Sequence, residues 1–108
     1  MNFSINTVLF VSPFTNKSTK LFKQFKQWGY DAVELLIEDP RHIDAALVKK
    51  ELGRHELVCS SVSAAMNPGR DLRGSAASQR NGVKYLCQLI DEMVTLEARV
   101  LGGPIYSH

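Results

Sequence analysis

The group in this sequence best placed for site chemistry is Glu34, in the run YDAVELLIED. A carboxylate inside a short apolar strand is costly to bury unless it is paired or hydrogen-bonded. Glu34 is therefore either a structural carboxylate of a polar layer or a group held ready for a ligand. The other chemistry-bearing residues point to simpler roles. Cys59 and Cys87 sit in apolar runs without metal-ligand spacing and read as buried, reduced thiols, which fits the cytoplasm. His42 and His55 fall at a helix start and in a turn before a strand, where surface histidines are expected, and His108 is a lone terminal residue. Arg70 and Asp71 read as a loop-stabilising pair.

Four strand-like and three helix-like segments position these residues. Phe3–Phe10 alternates as a mostly buried first strand, broken by Ser12-Pro13. Thr15 or Asn16 caps a helix to about Trp28, with Leu21, Phe22, Phe25 and Trp28 on one apolar stripe and Gly29 as its stop. Ala32–Ile37 is an apolar strand of the kind covered on both faces. Asp39-Pro40 opens a second helix to about Leu52, with Ile43, Leu47 and Val48 inward and Gly53 as its end. Leu57–Ser63 is the third strand, followed by the loop AAMNPGRDLRG. Ser75 or Ser78 caps a long helix to about Leu96, with Val83, Leu86, Leu89, Ile90, Met93 and Val94 or Leu96 as its stripe. Arg99–Leu101 is the fourth strand, running into Gly102-Gly103-Pro104-Ile105-Tyr106.

The order βαβαβαβ means a parallel sheet with right-handed crossovers. An open doubly wound sheet and part of a (β/α) barrel both fit. The first βα loop, Val11-Ser12-Pro13-Phe14-Thr15, has none of the glycines of a dinucleotide site, and no P-loop is present. Four strands are half of the eight that close a barrel, and the sequence stops at His108, where the next helix should start. The expectation is one partial domain over residues 1–108: the βαβαβαβ half of a TIM barrel, truncated after strand four. The 108 residues carry a formal charge of +2 and are 44% hydrophobic, with lysines and arginines spread along the chain, which argues against a nucleic-acid binder. The N-terminus lacks the basic region and cleavage site of a signal peptide, and no apolar run approaches the roughly 20 residues of a membrane helix.

The segments MNFSINTVLF, GYDAVELLIEDP, PGRDLRG and VLGGPIYS resemble the start of the ketose 3-epimerases (the tagatose/psicose epimerases) of the xylose-isomerase-like TIM-barrel superfamily. The resemblance implies a divalent metal, usually manganese, that polarises the oxygens of a ketose while one glutamate removes the proton at carbon 3 and a second returns it. It also implies that the metal ligands lie on strands five to eight, so this chain holds none and is inactive alone. What it leaves here is a sugar-contacting rim. Phe10 would pack against the sugar at the first strand end, with Phe14 as a second wall. Glu34 would lie near the reactive carbons, or be hydrogen-bonded to the catalytic groups, as an auxiliary residue. Ser63, Ala64 and Ala65 would let substrate approach the backbone at the third strand end. Pro104 and Tyr106 would line the pocket after the fourth, beside Gly102 and Gly103.

A half-barrel exposes two sheet edges and an apolar interior, so self-association or a complementary half is expected. Two other readings remain. A zinc-dependent abasic-site endonuclease of the same superfamily would carry histidines at the ends of strands three and four, where this chain has Ser63-Ala64-Ala65 and Pro104-Ile105-Tyr106. A standalone interaction module would be a closed monomer without an exposed inner face.

Overall fold

The computed structural model describes residues 3–11 and 13–102. Four parallel strands form one sheet in the order of the sequence: β1 (Ser4–Asn6), β2 (Ala32–Ile37), β3 (Val58–Ala64) and β4 (Leu101–Gly102). The helices α1 (Phe22–Gln27), α2 (Ala45–Arg54) and α3 (Ala76–Leu96) connect them. This order decides between the two architectures. A doubly wound sheet reverses its strand order and takes helices on both faces. A sheet that grows in one direction through right-handed crossovers puts every helix on one face and leaves the other open, as a barrel wall does.

The alternation within β2 shows the two faces. Val33, Leu35 and Ile37 are fully buried under the helices, whereas Glu34 and Leu36, between them, are half-exposed on the other side. The core lies between sheet and helices. It joins Phe14, Phe22, Phe25, Val48, Leu52, Val62, Tyr85, Leu89 and Leu96 to these strand residues.

Several segments differ from the sequence expectation. The first strand stops at Asn6, because Thr7–Leu9 forms a one-turn 3-10 helix whose Thr7 carbonyl accepts from both Phe10 and Val11 amides at 3.0 Å. The Thr7 hydroxyl then accepts from the Leu36 amide, which satisfies a β2 donor that β1 no longer reaches. The first helix is tight 3-10 over Asn16–Leu21 before it becomes α1. Gly29 follows α1 with φ +94°, a conformation that suits glycine. Asp39 caps only a 3-10 turn, Pro40–His42, and Asp44 caps α2 by accepting from the Ala46 and Leu47 amides. Leu47, expected inward, is exposed on α2, while Ile43 and Val48 are buried. The fourth strand begins later than expected, at Leu101.

α3 differs most in its facing. Ser75 caps it as expected, accepting from the Ser78 amide, and Glu97 ends it at φ 59° while its carboxylate pairs with Lys49. Leu86, Leu89, Met93 and Leu96 of the expected stripe pack on the core, but the buried face also runs through Ser78, Gly82 and Tyr85, and Val83, Ile90 and Val94 are exposed. The cause is the 3-10 turn Pro68–Arg70 in the preceding loop, which lies against α3. A Cβ on Gly82 would sit 2.6 Å from the Arg70 carbonyl oxygen and 2.9 Å from Leu72. The Ser78 hydroxyl accepts from the Asp71 amide at 2.7 Å and lies within donor reach of the Pro68 and Asp71 carbonyls.

Gly82→Ala therefore loses stability despite alanine's better helix propensity. The clash with backbone should cost about 1–3 kcal/mol against a propensity gain of about 1 kcal/mol. Urea denaturation checks this, and a midpoint at or above wild type would contradict the close packing of the turn on α3.

Candidate functional site

The open face of the sheet carries a row of polar side chains that the period-two alternation brings together. Ser4 and Asn6 of β1 flank buried Ile5. Asn6 pairs in register with Glu34, and Glu34 with Ser61, so amide, carboxylate and hydroxyl residues cross three strands in one line. The Asn6 amide donates to a Glu34 carboxylate oxygen at 3.4 Å. One step toward the C-terminal ends, Leu36, Ser63 and Gly102 form the next row. Below Glu34 the pairing slips by one residue, so Ser60 is extra on β3. Its hydroxyl lies 2.8 Å from that of Ser4 and 3.4 Å from the Val33 carbonyl. The slip keeps Cys59 in the core below it and Val62 and Ala64 in the core above it, and it leaves Ser61 and Ser63 on the open side. Burial pushes the Cys59 thiol up to about 11, so it stays protonated and unreactive.

Behind the ends of β2 and β3, α3 supplies a clamp. The Tyr85 hydroxyl donates to the Ile37 carbonyl and accepts from the Ala65 amide. Burial pushes its pKa up, which keeps the donor in place. The Arg70 guanidinium lies 3.7 Å from the Tyr85 ring centre and donates to the Ala65 and Glu38 carbonyls. Arg70 and Asp71 are thus both loop-stabilising, but with other partners than each other. The Asp71 carboxylate accepts from the Arg73 amide at 2.8 Å and faces the Arg73 side chain at 3.7 Å.

The expected rim residues separate in space. Glu34 lies on the open face beside Asn6. Phe10 follows the 3-10 turn instead of ending a strand, and its ring packs on Phe25 and Trp28 of the α1 segment at 5.3 and 5.5 Å. Phe14 is 1% exposed and stacks on Phe22, so its ring is core and offers no wall. Ala65 follows β3 with its amide and carbonyl already engaged by Tyr85 and Arg70, so its backbone has little to offer a sugar. Pro104 and Tyr106 lie outside the described residues. Asn6, Ser61 and Tyr85 were not singled out from sequence. The alternation of Ser4 and Asn6 around Ile5 is the signal that reveals the first of them.

A polar groove of about 480 Å³ opens on the helix side, lined by Asp39, Arg41, Arg70, Lys84 and Tyr85 among others. Two of its cations are already committed. Arg41 makes two side-chain bonds to Asp39, holding that carboxyl down to about 2, and Arg70 serves the loop carbonyls. Among the described residues no group of three or more His, Cys, Asp or Glu is placed to hold a metal ion, so they do not fit the divalent metal implied by the resemblance. No helix among them is long and apolar enough to cross a membrane.

No family model matches the sequence, and no curated protein matches it. Solved structures do. D-allulose 3-epimerase from Methylomonas sp., in complex with D-allulose, superposes with a TM-score of 0.87 at 23% identity over 98% of this chain and 37% of its own. An L-ribulose 3-epimerase gives 0.84 at 20% identity over 100% of this chain and 37% of its own. A family 2 AP endonuclease from Brucella melitensis gives 0.69 at 20% identity over 93% of this chain and 39% of its own. The chain thus spans well under half the length of the structures it matches.

Tyr85→Phe should cost about 1–3 kcal/mol, because it strands the Ile37 carbonyl and the Ala65 amide while keeping the ring under Arg70. Chemical denaturation checks this, and a loss below about 0.5 kcal/mol would show that the hydroxyl does not hold the two strand ends. From the strand order, the single helix-covered face and these superpositions, the chain has the α/β fold of part of a TIM barrel, as found in ketose 3-epimerases and xylose-isomerase-like proteins.

Proposed function

We propose that this chain is the sugar-contacting part of a ketose epimerase/isomerase barrel, and that its open sheet face is the wall that meets the sugar. The observation that carries this is the Asn6–Glu34–Ser61 row with Ser63 beyond it. A carboxylate and an amide side by side, with serine hydroxyls next to them, match the dense donors and acceptors of a polyol, and the carboxylate is a strong acceptor for a sugar hydroxyl. The superposed D-allulose 3-epimerase holds D-allulose, a ketose of this kind. Glu34 binds and orients in this reading, and Asn6 positions it. The family resemblance would leave proton abstraction and return at carbon 3 to glutamates other than those described, where a divalent metal would supply charge stabilisation. Alone, the chain binds without turning over. The endonuclease reading gains nothing at the β3 end, where Ser63, Ala64 and Ala65 stand in place of a histidine. A role in carbohydrate metabolism in the cytoplasm follows from the same reading, and the free cysteines Cys59 and Cys87 accord with a reducing compartment.

Calorimetric titration with D-allulose tests the proposal. Wild type should bind in about the millimolar range, and Glu34→Gln should weaken binding roughly tenfold, the loss expected for a hydrogen bond to a charged group. Equal affinity of the two would sink the role of Glu34. Manganese-dependent epimerisation by the chain alone would show that it builds a catalytic site of its own.

A further inference from the structure

The polar groove on the helix side lies between the 3-10 turns Pro40–His42 and Pro68–Arg70 and the first half of α3. Both turns pack against α3. Its walls come from residues 39–41, 67–70 and 81–88, away from both sheet edges, and it shares no residue with the Asn6–Glu34–Ser61 row.

The balance of charge and of hydrogen-bonding groups in this groove is one-sided. Its lining carries three cations, Arg41, Arg70 and Lys84, and one acid, Asp39, so three charges less one leave +2. Asp39 is already taken up: Arg41 bonds both its carboxylate oxygens, at 3.0 and 2.8 Å. The charges of Arg70 and Lys84 therefore stand uncancelled. Arg70 is fixed in place, with its guanidinium 3.7 Å from the Tyr85 ring centre and its Nε and one Nη donating to the Ala65 and Glu38 carbonyls. Those partners are neutral, and its second Nη donates to no described residue. Lys84 has no hydrogen-bond or ion-pair partner among the described residues. Asn81, Lys84 and Gln88 follow at three- and four-residue spacing on α3, so they present one face to the groove. The Gly69 carbonyl on the opposite wall already accepts from Asn81 at 3.1 Å. The wall carbonyls are thus occupied, while Lys84, Gln88 and the outer nitrogen of Arg70 keep donors to offer.

Two cations held in one groove without an acid repel each other, and a seated anion relieves that repulsion. A charge of +2 matches a dianion better than a single carboxylate. A phosphate monoester carries about −2 near neutral pH and offers several strong acceptor oxygens to a guanidinium and an ammonium. At about 480 Å³ the groove falls within the range of small-molecule sites and holds more than one phosphate. We propose that this groove binds the phosphate group of a small anionic ligand, with Lys84 and Arg70 matching its charge and Gln88 beside them. The inference does not rest on the sheet face meeting a sugar.

Calorimetric titration of the 108-residue chain at low ionic strength tests it, with inorganic phosphate, glycerol phosphate and glycerol as probes and circular dichroism as the folding control. None of the three is a ketose, so the result is independent of sugar binding at the sheet. Phosphate should bind saturably in about the millimolar range. Lys84→Gln, at an exposed position, should weaken it roughly tenfold, and Lys84→Glu should abolish it without loss of fold. Lys23→Gln removes the same charge from α1, outside the groove, and should leave the affinity unchanged. Tighter binding of glycerol phosphate than of phosphate would assign the site to organic phosphate esters, and equal binding would assign it to free phosphate; each carries the proposal. No saturable binding of either anion, binding that Lys84→Glu leaves intact, equal losses in Lys84→Gln and Lys23→Gln, or glycerol binding as well as its phosphate would overturn it.

Discussion

The hydroxyl of Tyr85 sets the geometry of the strand ends. Parallel strands leave the peptide groups at their C-terminal ends to be satisfied by something other than the sheet, and here one side chain reaches across both strands at once. By donating to Ile37 and accepting from Ala65, it ties β2 to β3 at the point where both chains leave the sheet. Arg70 then uses the same ring as a platform and draws in the Glu38 and Ala65 carbonyls. The clamp requires α3 to lie close over the Pro68–Arg70 turn. That closeness in turn requires Gly82 and Ser78 at the contact. A tyrosine on a helix thereby joins the ends of the two strands whose other face carries Glu34, Ser61 and Ser63.

That opposite face is unusual for a parallel sheet, whose strands are normally apolar on both sides. β2 keeps Leu36 there but also places Glu34, β1 contributes Ser4 and Asn6, and β3 contributes Ser60, Ser61 and Ser63. The stability of the chain comes from the helix-covered side, where Val33, Leu35, Ile37 and Val62 are fully buried. The polar side is free to serve a ligand because the core does not depend on it. The one-residue slip between β2 and β3 separates these roles, since it puts two successive serines beside the Val33–Glu34 step without moving Cys59, Val62 or Ala64 out of the core.

Much of this was legible in the sequence, and the parts that were not have physical causes. Strand β2 matched its expected bounds because its apolar run is short and sharply bounded, and α3 began and ended where Ser75 and Leu96 indicated. Glu34 stood out because a carboxylate in such a strand needs a reason. The first strand is shorter than its alternation suggests, because the pattern continues through Thr7–Leu9 while the backbone coils into a 3-10 turn held by local amides and by contact with Leu36. Phe10 therefore follows that turn and does not stand at a strand end. Phe14 was read as a wall because a loop aromatic looks available, yet it fills the core beside Phe22. The facing of α3 agrees with its expected stripe at Leu86, Leu89, Met93 and Leu96 and departs from it at Val83, Ile90 and Val94, which are exposed. Ser78, Gly82, Tyr85 and Leu89 follow a three-and-four spacing that is equally visible, but small and polar residues hide it from a count of hydrophobics.

The central claim is that the open polar face of the sheet is a ligand-facing wall. A crystal structure of the chain soaked with a ketose at saturating concentration tests it most directly. The account predicts sugar hydroxyls within hydrogen-bond distance of Glu34 and Asn6, with Ser61 or Ser63 beside them. A sugar seated instead in the helix-side groove beside Arg41 and Lys84, or none bound to the sheet at all, would contradict it.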